Sequence, residues 1–208
     1  MHAWIALAGE ALAALVSPPR CAACDAPVGL AVVFCGPCAR AMVPWAGPKD
    51  AVRAGWEYGG PIARAITRMK YADRPDLARP LGHALARRAV PTRADAIVPV
   101  PLHPARLADR GFNQAALLAR PLARLLHAPL APWALERTRD TPRQAALDRA
   151  DRLQNVANAF RASAKVAGRR LLVVDDVCTT GATLGACAEA LRRSGAAEVA
   201  ALVLARAR

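Results

Sequence analysis

A chain of 208 residues is long enough for one α/β domain with an ample core and a small appendage, and length alone does not favour a second large domain. Apolar residues make up 54% and aromatics 4%, a balance that excludes extensive disorder and suits helices packed on a sheet. The formal net charge of +13, from 29 Lys and Arg against 16 Asp and Glu, favours anionic partners such as phosphates, nucleic acid or acidic lipid head groups; because the arginines are scattered, solubility alone is the competing reading.

Residues 4–16 are apolar but contain Glu10 and lack the Lys/Arg start of a secretion signal. They are also too short for a bilayer, which needs about 20 residues. Trp4, Leu7, Ala8, Leu12 and Leu15 fall near helical spacing, so an amphipathic helix ended by Ser17-Pro18-Pro19 is expected within residues 1–20. With no export signal and no membrane span, the expected compartment is the cytoplasm.

Residues 21–47 hold Cys21-x2-Cys24 and Cys35-x2-Cys38. Two such pairs suit tetrahedral zinc in a structural ribbon, each knuckle supplying two thiolates. Two disulfides are the main rival, and redox sensing is a further one, although nothing here points to an oxidising compartment. A Pro/Gly loop at Pro44, Gly47 and Pro48 precedes the main domain, expected over residues 48–208.

Within that domain, residues 54–58 read as a short strand, and residues 61–70 as a helix opened by Pro61 with Ile62, Ile66 and Met69 at helical spacing. A second helix is expected over 77–89, and a buried parallel strand over 96–101 ends in a proline-rich turn. Residues 112–126 form a strong helix pattern and 130–135 a short strand. Residues 136–155 lack a continuous apolar stripe and read as a mobile loop running into a helix. Residues 171–174 are the clearest strand; a helix over 182–194 follows, stopped by Gly195, and residues 199–204 give a last strand. Alternating strands and helices imply a mainly parallel sheet, whose ligands collect at the carboxyl ends of its strands.

The segment from Val173 to Thr183 carries the most chemistry. If the strand ends near Asp175 and the helix starts near Ala182, backbone N–H groups around residues 179–183 face the ligand side and favour a phosphate. Thr179, Thr180 and Thr183 add hydroxyl donors, Gly181 and Ala182 shape the loop, and Gly181 permits backbone angles closed to other residues. Asp175 and Asp176 can accept hydrogen bonds from ribose hydroxyls and help hold magnesium. Phosphate donors beside paired carboxylates describe a ribose 5-phosphate site. A βα turn with Asp and Thr as ordinary caps would explain one or two of these residues, but not five together. No Walker sequence is present. Cys187 reads as a small core residue and Cys178 as a loop residue beside the phosphate site.

This segment resembles the phosphoribosyl pyrophosphate (PRPP) motif of type I phosphoribosyltransferases. Three further segments resemble the ComF family of phosphoribosyltransferase-like proteins, a group named from DNA-uptake competence. They are Ile97 to Pro104 with Arg106 and Arg110-Gly111-Phe112-Asn113-Gln114; Arg137 and Arg139 with Thr141, Gln144, Arg149, Arg152 and Asn155; and Lys70-Tyr71. The cysteine pairs resemble the zinc-ribbon module at the start of such proteins. Ala72 stands where glycine would be frequent.

The resemblance implies a type I phosphoribosyltransferase-like α/β fold with a small zinc-binding module. It implies a pyrophosphate loop at Pro101, Leu102 and His103 aided by Arg106 and Arg110, and a flap carrying Arg137, Arg139, Thr141, Gln144 and Arg149. The expected chemistry is transfer of the phosphoribosyl group of magnesium-bound PRPP to an acceptor that the sequence does not name, with release of pyrophosphate. The alternative is a non-catalytic PRPP or nucleotide sensor, or a DNA-uptake component contacting single-stranded DNA. Few aromatics are available for base stacking, which weakens the single-strand version.

Overall fold

Four strands form one parallel sheet in the order β1-β6-β5-β2, from β1 (Val52–Glu57), β2 (Ala96–Pro99), β5 (Arg170–Cys178) and β6 (Glu198–Arg206). The computed structural model describes residues 19–47, 52–89, 93–139 and 159–208. The expected N-terminal helix and residues 140–158 lie outside them.

The apolar runs of β5 and β6 are covered on both sides, and strand alternation sorts their side chains between two layers. Leu172, Val174, Leu202 and Leu204 pack in one cluster with α2 (Gly60–Tyr71), α3 (Ala78–Ala89) and α5 (Gln114–Leu125). Leu171, Val173, Ala201 and Val203 pack on the opposite face with α6 (Ala182–Arg193) and an antiparallel pair, β3 (Leu135–Arg137) and β4 (Phe160–Ala162). Fully buried leucines such as Leu81, Leu118 and Leu172 each contribute roughly 1.5–3 kcal/mol of transfer free energy.

Gly82 sets how closely α3 and α5 approach. A Cβ there would lie 2.6 Å from the Leu118 carbonyl oxygen and 3.0 Å from the Pro121 ring. The absent side chain lets α5 sit against α3, and α5 begins beside the carboxyl end of β2.

Residues 19–47, with the short helix α1 (Gly36–Arg40), share this core rather than standing apart. Cys21, Ala22, Ala23, Phe34 and Cys38 are in the same cluster as Ile62, Ile66 and Met69 of α2. Arg68 reaches back to the Asp25 carboxylate at 2.5 Å and the Cys21 carbonyl at 3.3 Å. Trp45 N donates to Gly55 O and Glu57 N to Val43 O, fastening this segment antiparallel along β1.

Three elements differ from the sequence expectation. The strand at the acidic motif continues to Cys178, so both carboxylates and Cys178 belong to the strand and not to the loop after it. A short helix, α4 (Pro104–Arg110), precedes α5; it buries none of its residues, so it shows no apolar stripe. Residues 132–134 form a 3-10 turn, leaving Leu130 as a single bridge to Ile97 and moving the strand to β3.

Candidate functional site

Because β5 alternates, its two acids part company. Asp176 lies on the side of Leu172 and Val174 and is 2% exposed. Its Oδ2 is ion-paired with the ammonium of Lys70, from the last turn of α2, and its Oδ1 accepts from Gln114 Nε2 at 3.2 Å. Asp175 lies on the α6 side, partly buried, with Oδ1 accepting from the Asp176 N–H at 2.9 Å. Burial and the neighbouring Asp176 charge push the Asp175 carboxyl well above the usual carboxylate range, against the pull of Lys70.

Gln114 also accepts from Arg110 Nη1 at 2.6 Å, and the Arg110 guanidinium lies 5.4 Å from the centre of the Tyr71 ring. These contacts open onto a cavity of about 500 Å³ lined by Lys70, Tyr71, Asp73, Arg106, Asp109, Arg110 and Phe112. Three cations and two carboxylates thus line one hollow at the carboxyl edge of the sheet. That mixture suits a polyphosphate with a divalent cation: guanidinium groups grip phosphate oxygens and carboxylates grip the metal.

Local sequence explains the placement. Asn113 caps α5, its Oδ1 accepting from Ala115 N and Ala116 N while its Nδ2 donates to the Val100 carbonyl at 3.0 Å. This ties the helix start to the end of β2. His103 caps α4 by accepting from Ala105 N, and Gly111 closes that helix at φ 76°. Pro101, Leu102 and His103 are half-buried in the link between β2 and α4. At Ala72 the backbone is ordinary, φ −110°; the left-handed residue of that turn is Asp73, at φ 49°. Glycine is therefore not required at 72.

After β5, Thr179 to Gly181 lead into α6, and residues 177–184 surround a small cavity of about 30 Å³. Gly181 adopts φ 80°, which non-glycine residues seldom take, and Thr180 Oγ1 accepts from Ala182 N. The remaining first-turn N–H groups of α6, near Thr183, have no intrahelical acceptor and carry the positive end of the helix dipole.

Arg137 and Arg139 stand at the start of the second family-like segment. Arg137 is buried in β3, its guanidinium 5.5 Å from the Phe160 ring, while Arg139 is exposed. Thr141, Gln144 and Arg149, with Arg152 and Asn155, fall outside the described residues. Lys70 and Gln114 stand in the quoted motifs, but their contacts with Asp176 cross 106 and 62 positions of chain and carry no local signal.

The four sulfur atoms of Cys21, Cys24, Cys35 and Cys38 lie within 4.8 Å of one another, with Cys24 and Cys35 at 3.6 Å. Tetrahedral zinc with Zn–S of about 2.3 Å separates sulfurs by about 3.8 Å, so the cluster fits a zinc ion. Burial and the neighbouring sulfurs push Cys38 up to about 12. At Cys21 burial also raises the thiol, but N–H groups of Cys35, Cys24 and Ala23 outweigh it and hold it near 6. One cation would settle this crowding by taking all four as thiolates. Cys187 is fully buried, as a small core residue is, and burial raises its thiol further.

A profile described as phosphoribosyl transferase domain matches residues 113–208. The DNA utilization protein YhgH of Escherichia coli O157:H7 is 36% identical over 194 residues, covering 90% of this chain and 84% of that protein. Competence protein F of Haemophilus influenzae is 33% identical over 199 residues, covering 91% and 85%. Among solved structures, glutamine PRPP amidotransferase from B. subtilis, complexed with ADP and GMP, has a TM-score of 0.44 at 26% identity, covering 66% of this chain and 30% of that one.

Proposed function

Because the chain belongs to the ComF family of phosphoribosyltransferase-like proteins, we propose that it binds PRPP with magnesium and transfers the phosphoribosyl group to an acceptor, releasing pyrophosphate. The supporting observation is the cavity where Lys70, Arg106 and Arg110 face Asp73 and Asp109, joined through Gln114 to Asp176.

In this reading the Thr179 to Thr183 turn holds the 5-phosphate with backbone N–H groups and hydroxyls. Asp175 and Asp176 hold the ribose from the strand end. Arg106 and Arg110, with Pro101 to His103 beside them, receive the pyrophosphate, and Lys70 adds a third cation. As the bond at C1 of the ribose lengthens, negative charge grows on the departing pyrophosphate, and fixed guanidinium groups lower the barrier by being oriented in advance. Asp175, the more open of the two acids, would help hold magnesium with the ligand's own oxygens, while Asp176 stays paired with Lys70; when bound, the ion adds charge stabilisation at the leaving group.

The second reading is binding without turnover, as a PRPP or nucleotide sensor or a DNA-uptake component. The names of the relatives, DNA utilization protein and Competence protein F, favour it. Fold does not decide between them. Among the described residues no helix is long and apolar enough to cross a membrane.

The deciding experiment incubates the purified protein with PRPP, magnesium and a panel of bases, amines and ammonia, measuring pyrophosphate release. Release dependent on one acceptor class establishes transfer. Saturable PRPP binding with no release from any acceptor supports the sensor.

A further inference from the structure

Gln114 is 5% exposed and sits between two charged groups with opposite needs. The Asp176 carboxylate can only accept hydrogen bonds and the Arg110 guanidinium can only donate them. A side-chain amide satisfies both at once: its NH2 faces Asp176 at 3.2 Å and its carbonyl faces Arg110 at 2.6 Å. Its backbone is fixed because the Asn113 cap anchors the start of α5 to β2. Tyr71 backs the guanidinium.

The acceptor's chemistry matters more than its position. A carboxylate at 114 would orient Arg110 equally well, but would neutralise it and face Asp176 with a like charge. A neutral carbonyl orients the guanidinium and leaves its whole positive charge for a ligand in the cavity, where Arg106 and Lys70 converge. Resting on the PRPP reading of this cavity, we infer that Gln114 is a positioning residue for diphosphate recognition, orienting Arg110 without neutralising it while tying it to the ribose-side acid Asp176.

The test measures binding of magnesium pyrophosphate and, separately, ribose 5-phosphate by titration calorimetry, in wild type, Gln114→Met and Gln114→Glu. Each substitution is repeated in an Arg110→Met background. Gln114→Met is expected to weaken pyrophosphate binding about tenfold, the worth of one hydrogen bond to a charged group. Ribose 5-phosphate affinity should fall by clearly less than pyrophosphate affinity, since Asp176 keeps its Lys70 ion pair when the Gln114 hydrogen bond is lost.

Gln114→Glu is expected to lose more at pH 8 and to recover as pH falls. A protonated Glu can donate to Asp176 and accept from Arg110 as the amide does, and Lys70, Arg110 and Asp176 are the charged groups facing it. Pyrophosphate itself gains protons over that range, so the readout is the ratio of variant to wild type at each pH. In the Arg110→Met background neither substitution should cost anything further.

Wild-type-like binding by Gln114→Met and Gln114→Glu overturns the inference, and so do losses that add fully to that of Arg110→Met. If the wild type binds neither pyrophosphate nor PRPP, the reading of the cavity fails and takes this inference with it. Gln114→Glu, nearly isosteric with the native side chain, keeps the test available if Gln114→Met folds poorly.

Discussion

Lys70 places its ammonium against the Asp176 carboxylate, joining the last turn of α2 to the far end of β5 in an ion pair whose side chains are 18% and 3% exposed. The pair fixes one acid of the candidate ribose site in the folded protein itself. It also leaves Asp175 as the more open acid.

Removing one partner of this pair leaves a buried charge uncompensated. Lys70→Met should therefore destabilise the fold by about 3–5 kcal/mol. Lys70→Met with Asp176→Asn should recover much of that loss. Chemical denaturation of the single and double variants checks this, and equal stability of the two would refute it.

Asp175 has the opposite sign. Its carboxyl is raised in the folded state, so the folded protein holds a proton that the unfolded chain, with an ordinary value near 3.9, releases earlier. Stability from this group is therefore lost as pH rises through the raised value, and ionised Asp175 opposes folding at neutral pH. Asp175→Asn should raise Tm at pH 7.5, with the gain vanishing below about pH 4. A constant gain across that range would contradict the assignment.

Gly82→Ala tests the packing that seats α5. The added Cβ meets the Leu118 carbonyl oxygen, and backbone cannot swing aside as a flexible side chain would. The expected cost is about 1–3 kcal/mol. Pyrophosphate binding should weaken with it, since α5 carries Gln114.

The cysteine cluster predicts zinc at one equivalent per chain by elemental analysis. Because Cys21 and Cys38 share the main core with α2, stripping the metal should lower Tm for the whole unfolding transition and not for a separate one. A chelator that removes zinc without changing Tm would count against a structural role.

Much of this was legible in the sequence. The apolar run at 171–174, the Thr-Thr-Gly turn and the helix after it mark the parallel strand and its turn into α6, because β and α periodicities change sharply there. The two Cys pairs announced their cluster by spacing. What could not be read was which way each acid faces: with the strand running on to Cys178, alternation sends Asp175 and Asp176 to opposite sides. Nor could Lys70 and Gln114 be paired with Asp176, since those contacts arise only when α2 and α5 pack on one face. Short α4 leaves no apolar stripe in the sequence because it buries nothing, its ends fixed by His103 and Gly111.

We propose that the carboxyl edge of β5 holds PRPP. Isothermal titration of PRPP with and without magnesium, into the wild type and the variant carrying both Asp175→Asn and Asp176→Asn, tests it most directly. Saturable, magnesium-dependent binding in the wild type that disappears in the folded double variant is the predicted result. Undiminished binding in that variant would contradict the assignment.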